Sequence, residues 1–337
     1  MPRRPEELFD EAFTKCSAED RRHYKGRHDL TGLPPQVQRQ LRLIQTVFND
    51  SLRNEKHVPE HVAHPPFHVD YVDSDVENAL AFRYEDYSFI GITVPLIYGT
   101  SDVCLSLSKS PTVFKLLRVE PSVEDYNAVH AALFYNLCAF VVAHEFTHHV
   151  HGHVCVLGAD TLFPNEILDT GLKGNLKSQI REIVADGYSI YHVLANLFDG
   201  GRETAITALK LDAEEPSVQD EALLSLVVVA VGAYLFVRPL EKLNETEVYK
   251  DTHPPQVVRL DCIMQEAIHW CRQNRPQLQT WMTAARFQEL MNAAVEATVG
   301  LNGAQVAGDQ AAFMKSEEGA KYHRALADGV NAYKQAL

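Results

Sequence analysis

The sequence predicts an α+β fold, mainly helical, with one small sheet flanked by helical stretches. Three observations carry that expectation. Apolar residues recur at helical spacing along most of the chain. Runs rich in β-branched and aromatic residues are confined to about residues 61–110. The order is helices, short strands and then helices, without the alternation that builds a parallel α/β sheet.

Residues 1–60 read as helical. The stretch Gln36–Leu52 is amphipathic and follows Pro34 and Pro35, and proline suits the first turn of a helix. Next, FIGITVPLIYG (89–99) and DVCLSLS (102–108) read as strands bounded by Pro, Gly and Ser. Helical periodicity returns over 123–150. Residues 154–176 carry Gly158, Pro164, Gly171 and Gly174, and read as a loop that either gates or permanently covers a site. Helices are expected at 177–198, at 216–243 and from about Val257, with a helical tail from 276. The domains expected are a helical N-terminal region (1–60), a central domain (61–275) and a helical C-terminal extension (276–337).

Against 31 Lys and Arg stand 45 Asp and Glu, a net charge of −14, which argues against a nucleic-acid partner. Six cysteines are scattered without a C-x-x-C pair, and read as buried thiols in a reducing compartment. MPRRPEELFDEAF lacks the apolar core of a secretion signal, so a cytoplasmic location is expected. The apolar run 222–237, ALLSLVVVAVGAYLFV, is shorter than the roughly 20 residues of a bilayer span. It reads as a buried core helix, with a membrane anchor as the rival reading.

FVVAHEFTHHVHGH (140–153) is where the chemistry concentrates. His144 and His148 are four residues apart, so on a helix both rings share one face and reach a single ion. Glu145 can then address a water on that ion without being a ligand. This is the H-E-x-x-H pattern of zinc peptidases, with the glutamate as general base. A metzincin would place Gly and His where His151 and Val154 stand, so that class is excluded. The third ligand is sought in REIVADGYSIYH (181–192), where Glu182 and Asp186 lie one turn apart in an apolar frame. Glu182 can complete the set, and Asp186 can accept the spare N–H of a ligating ring. Alternatively, both are solvated surface charges beside Arg181. His149, 100° round the helix from His148, is expected to be exposed. His151 is expected at the substrate side or in a structural role, and His153 to cap or pack the helix end. In DTHPPQVVRLD (251–261), His253 is a candidate oxyanion donor or cap on the metal, with Tyr188 and Tyr191 as rival donors, and Arg259 can lock its helix through a carboxylate.

Read in order, these pieces resemble the gluzincin metallopeptidases. HEFTHHVHGH resembles their H-E-x-x-H-x-x-x-x-H form and REIVAD their E-x-x-A-D. THPPQVVR is similar to the T-H-P-x-x-x-x-R of the prenyl-protein-peptidase-like branch, and ENALAFRYEDYSFIGITVPLI to that branch's N-A-x-A stretch followed by a strand. Among its relatives, size and soluble arrangement look closest to a phage-exclusion peptidase. The resemblance covers about residues 78–265. It implies a zincin-like core and a soluble zinc endopeptidase acting on a protein or peptide, in a triggered, site-specific defence role. It also implies His144, His148 and Glu182 as Zn2+ ligands, Glu145 as base, Asp186 behind the ligands, and His253 and Arg259 as accessory residues. An extended substrate would join the sheet at a strand near Phe89–Val94. The other class of reading is a non-catalytic binding or sensor module with a structural zinc site.

Overall fold

The computed structural model describes residues 3–18, 20–53, 65–154, 175–237, 247–298 and 312–336. Apart from its ends, the expected loop 154–176 lies outside the described residues. So do Cys155 and the expected continuation of a helix from 238 to 243. The chain divides into two compact units, Met1–Gly99 with Val141–Ile167, and Thr100–Phe140 with Leu168–Leu337.

In the first unit come α1 (Pro5–Thr14), α2 (Asp20–His23), β1 (Tyr24–Arg27), α3 (Pro35–Arg53), β2 (Phe67–Ser74), β3 (Ala79–Tyr84) and β4 (Tyr87–Thr93). The strand order is β1-β2-β4-β3, with β2 and β4 parallel and the outer pairs antiparallel. β3 and β4 form a tight hairpin, and Glu85 takes the positive φ that two-residue hairpin turns need. Two expectations are corrected here. Residues 1–60 are not wholly helical, since β1 pairs with β2. The strand at Phe89–Val94 is not an edge: β4 is hydrogen-bonded on both sides, and β3 is the outer strand beside it. At Gly91, in this central strand, a Cβ would meet Val72 Cγ2 at 2.7 Å, so the close packing there requires glycine.

The sheet is filled on one face by α1. Phe9 packs against Phe13, Phe82 and Phe89 with ring centroids 5.3, 5.5 and 5.4 Å away. Such tilted and edge contacts add about 0.5–1.5 kcal/mol each beyond burial. α3 is fastened to β2 by Asn49, whose amide exchanges two hydrogen bonds with the backbone of Val69, 2.9 and 3.0 Å.

α4 (Val94–Leu107) follows β4 directly. DVCLSLS is therefore helical rather than a strand. Pro95 sits in the first helical turn, where its missing N–H costs nothing, and Leu96, Val103, Cys104 and Leu107 recur at helical spacing and are buried. Then come α5 (Pro111–Leu117), α6 (Val123–Val150), α7 (Leu176–Ala195), which runs on into a π-helical turn at Asn196–Gly201, and α8 (Arg202–Ala208). After these follow α9 (Pro216–Val237), α10 (Gln256–Asn274), α11 (Pro276–Trp281), α12 (Ala284–Thr298) and α13 (Glu317–Ala336).

α9 runs through the core of the second unit. From Ala222 to Ala233 every residue is buried, and Gly232 lets Met291 of α12 approach so closely that a Cβ would lie 2.6 Å from its methyl. Each fully buried Leu or Val there stabilises the fold by about 1.5–3 kcal/mol. α6 and α9 are both long and apolar enough to cross a membrane by length and composition, and 78% of the α9 window is buried inside the protein. Cys16, Cys104, Cys138 and Cys271 are buried, Cys262 is half-buried, and all five are free thiols. Burial pushes Cys138 and Cys271 up to about 12, which keeps them protonated and unreactive.

Candidate metal centre

α6 begins and ends where its sequence says it should. Ser122 caps its start: Asp125 N–H donates to Ser122 Oγ at 3.3 Å, and the Ser122 hydroxyl in turn donates to the Asp125 carboxylate. At the other end Gly152 takes φ +68°, His153 N–H reaches back to His148 O at 2.8 Å and Gly152 N–H to His149 O at 3.1 Å. That is a glycine-dependent reversal of the Schellman type. It folds the His153 ring onto the helix it has just left.

Along the last turns, His144 and His148 bring their Nε2 atoms to 3.1 Å. Two imidazoles on one tetrahedral zinc, each about 2.0–2.1 Å from it, would hold their nitrogens about 3.3 Å apart. The pair is therefore spaced as ligands would be. His148 Nδ1 lies 3.0 Å from His153 Nδ1. Were Nε2 left bare for a ligand role, the proton would sit on Nδ1 and be donated to His153, which would fix the tautomer. The sequence places His153 as a cap or a packing residue at the helix end, on the cue of Gly152 before it, and not as a partner of His148.

His149 corrects an expectation. It is 1% exposed, with Nε2 at 2.8 Å from Phe89 O, and its ring meets Phe67 edge-on at 5.4 Å. The helix face 100° from the ligand stripe is the one that docks on the sheet, so a histidine there anchors rather than dangles. Phe67 and Phe146, 5.0 Å apart, reinforce the same contact. Arg83 of β3 donates weakly, at 3.4 Å, to His149 O near the helix C-terminus, where a cation is favoured. His151 is half-buried; burial first, and then the charge of His148, lower its pKa to about 4. Glu145 is half-buried. Near it in the electrostatic sense is the Tyr24 hydroxyl, which burial foremost pushes up and which receives the Asn78 amide at 2.9 Å.

α7 carries a polar stripe on an otherwise apolar helix. Gln179, Glu182 and Asp186 are spaced three and four apart, and all three are buried. The surface-charge alternative for Glu182 and Asp186 is thereby excluded. Asp186 takes Arg259 through two parallel hydrogen bonds of 2.7 Å. Burial works against the charge on Arg259, and Asp186 overrides it, raising the guanidinium pKa above its ordinary value. His253 Nε2 stands 3.3 Å from Glu182 Oε2, and its own Nδ1 lies 3.0 Å from Thr252 Oγ1. Tyr191 lies about 180° round α7 from Glu182 and packs on the apolar core, which removes it as an oxyanion donor. Tyr188 is 38% exposed.

One ring nitrogen each of His144 and His148 and one carboxylate oxygen of Glu182 lie within 4.8 Å of one another, a group that could hold a metal ion. His144 and Glu182 are buried and His148 is half-buried. Two neutral imidazoles and a carboxylate are a donor set for a borderline divalent ion such as zinc. No protein family, curated protein or solved structure that was compared with the chain matches it.

Proposed function

We propose that the protein is a soluble zinc-dependent endopeptidase of the gluzincin type, with a zincin-like core. The observation that carries this reading is the His144, His148 and Glu182 group with Glu145 next to the first ligand in sequence. These three residues would hold the ion. When bound, zinc would polarise the scissile carbonyl and lower the pKa of a water. Glu145 takes the proton of that water on a carboxylate oxygen and passes it to the leaving nitrogen. His153 orients His148, Arg259 holds Asp186 on α7, and His253 beside Glu182 is placed to donate to the oxyanion or to cap the site at rest. An extended substrate adds to the sheet along β3, the outer strand, rather than along β4.

The test is a comparison of new protein N-termini in cells expressing the wild type or Glu145→Gln. A dominant terminus that is absent from the variant supports a site-specific protease, the defence-like reading, and names its target. Identical termini under every trigger tried count against it.

A second reading, a sensor with a structural zinc, gains from the contact between His253 and Glu182, because a fourth ligand there would close the site. Unfolding of the protein by chelators, without any cleavage before or after, favours this alternative.

A further inference from the structure

Gln179 was not singled out by its sequence, and it is completely buried on the same stripe as Glu182 and Asp186. Its Nε2 donates to two backbone carbonyls, Val248 O and Asp251 O, both at 2.8 Å. Its Oε1 accepts the hydroxyl of Tyr322 on α13, also at 2.8 Å. Both N–H groups and the carbonyl oxygen of the amide are engaged, and only this orientation satisfies both carbonyls and the hydroxyl. Tyr322 is itself fully buried, and burial pushes its hydroxyl pKa up, so it remains a donor.

The stripe thus ties down a single stretch of chain at three levels. Gln179 holds Val248 and Asp251, Glu182 faces His253, and Asp186 holds Arg259. One turn earlier, the Asn175 amide donates to Lys250 O, and Asn175 N–H to Tyr249 O. Around them Leu176, Ile180, Ile183, Val248, Val258, Tyr322 and Leu326 form one apolar cluster. α13 is therefore bolted to α7 through the same amide that holds the segment carrying His253.

We propose that Gln179 and Tyr322 are positioning residues, through which the C-terminal helix holds the 248–253 segment and keeps His253 over Glu182. The tether itself stands on the hydrogen bonds; its consequence for the metal centre rests on the function proposed above. Loss of the Tyr322 hydroxyl leaves a buried carbonyl oxygen of Gln179 without that donor and removes the contact that fixes the amide plane, which weakens its hold on both backbone carbonyls.

The experiment compares the full-length wild type with Tyr322→Phe and with Gln179→Met, which keeps the volume but removes the donors. Hydrogen exchange in the metal-free chain is read by mass spectrometry. Exchange over 247–255 should quicken about tenfold in Tyr322→Phe and more in Gln179→Met, the loss of one net hydrogen bond being worth about that factor. Exchange in α9 should stay unchanged. Uniform quickening across the chain, or none at 247–255, would overturn the tether. This arm needs neither metal nor substrate, so its failure is distinct from failure of the peptidase reading. The second arm follows zinc release to a chelator. Tyr322→Phe and His253→Ala should each speed release, and the double variant should be no faster than His253→Ala alone. Additive effects would mean that Tyr322 merely supports the fold, and would overturn the link to His253.

Discussion

A carboxylate beside two imidazoles can bind the same ion or stand apart and move a proton, and the two roles respond differently to one atom. On the peptidase reading proposed above, Glu145→Gln keeps the size and removes the proposed base, so metal content should be unchanged while turnover falls by about two to four orders of magnitude. Loss of metal in that variant would make Glu145 a ligand instead. His153, which holds His148 through Nδ1, makes a milder prediction: His153→Ala should weaken zinc affinity about 10–100-fold with little change in fold. Competition with a coloured chelator measures it. His151 gives a pH signature. Its folded pKa is lowered to about 4, whereas an unfolded histidine titrates near about 6.5. Between these values the unfolded chain binds a proton that the folded chain refuses, so this contribution to stability is full above about 6.5 and is lost as pH falls toward 4. In urea titrations of the metal-free protein, His151→Gln should flatten that part of the profile; parallel curves would show that the ring contributes nothing.

At the scale of elements, α7 and α10 are joined by a buried ion pair, and such pairs are more sensitive to the loss of one partner than of both. Arg259→Met strands the Asp186 carboxylate and should cost about 3–5 kcal/mol, whereas Arg259→Met with Asp186→Leu should recover much of it. Urea unfolding of the two variants decides the point, and equal losses would contradict it. The sequence made the helices most legible, α7 by its apolar periodicity and α6 and α9 by the length of their apolar runs; Gly152 ends α6 by adopting a conformation few other residues accept. It misled at α4, where the apolar alternation of DVCLSLS imitates a strand and only the run of chain from Pro95 onward distinguishes a helix. Strand order was hidden for a different reason. Nothing local states that β2, more than ten residues earlier, inserts beside β4 and leaves β3 outside. His149 was misjudged likewise, since a helical wheel gives the angle of a side chain but not what faces it.

At the scale of the molecule, the ligand motifs could be read because each lies within one helix, His144 to His148 on α6 and Glu182 to Asp186 on α7. Gln179 could not, since its partners come from 248, 251 and 322, and no spacing in the chain announces them. α9 bears on where the protein works. With its apolar residues inside the second unit, the chain should purify without detergent and partition into the aqueous phase; recovery only in detergent would restore the membrane-anchor reading. The central claim is that His144, His148 and Glu182 share one ion, and the measurement that tests it most directly is the metal content of the purified chain. Elemental analysis of wild type, Glu145→Gln and Glu182→Ala should find zinc equimolar with the first two and lost from the third. A metal-free wild type, or a Glu182→Ala protein that still holds equimolar zinc, would contradict the account.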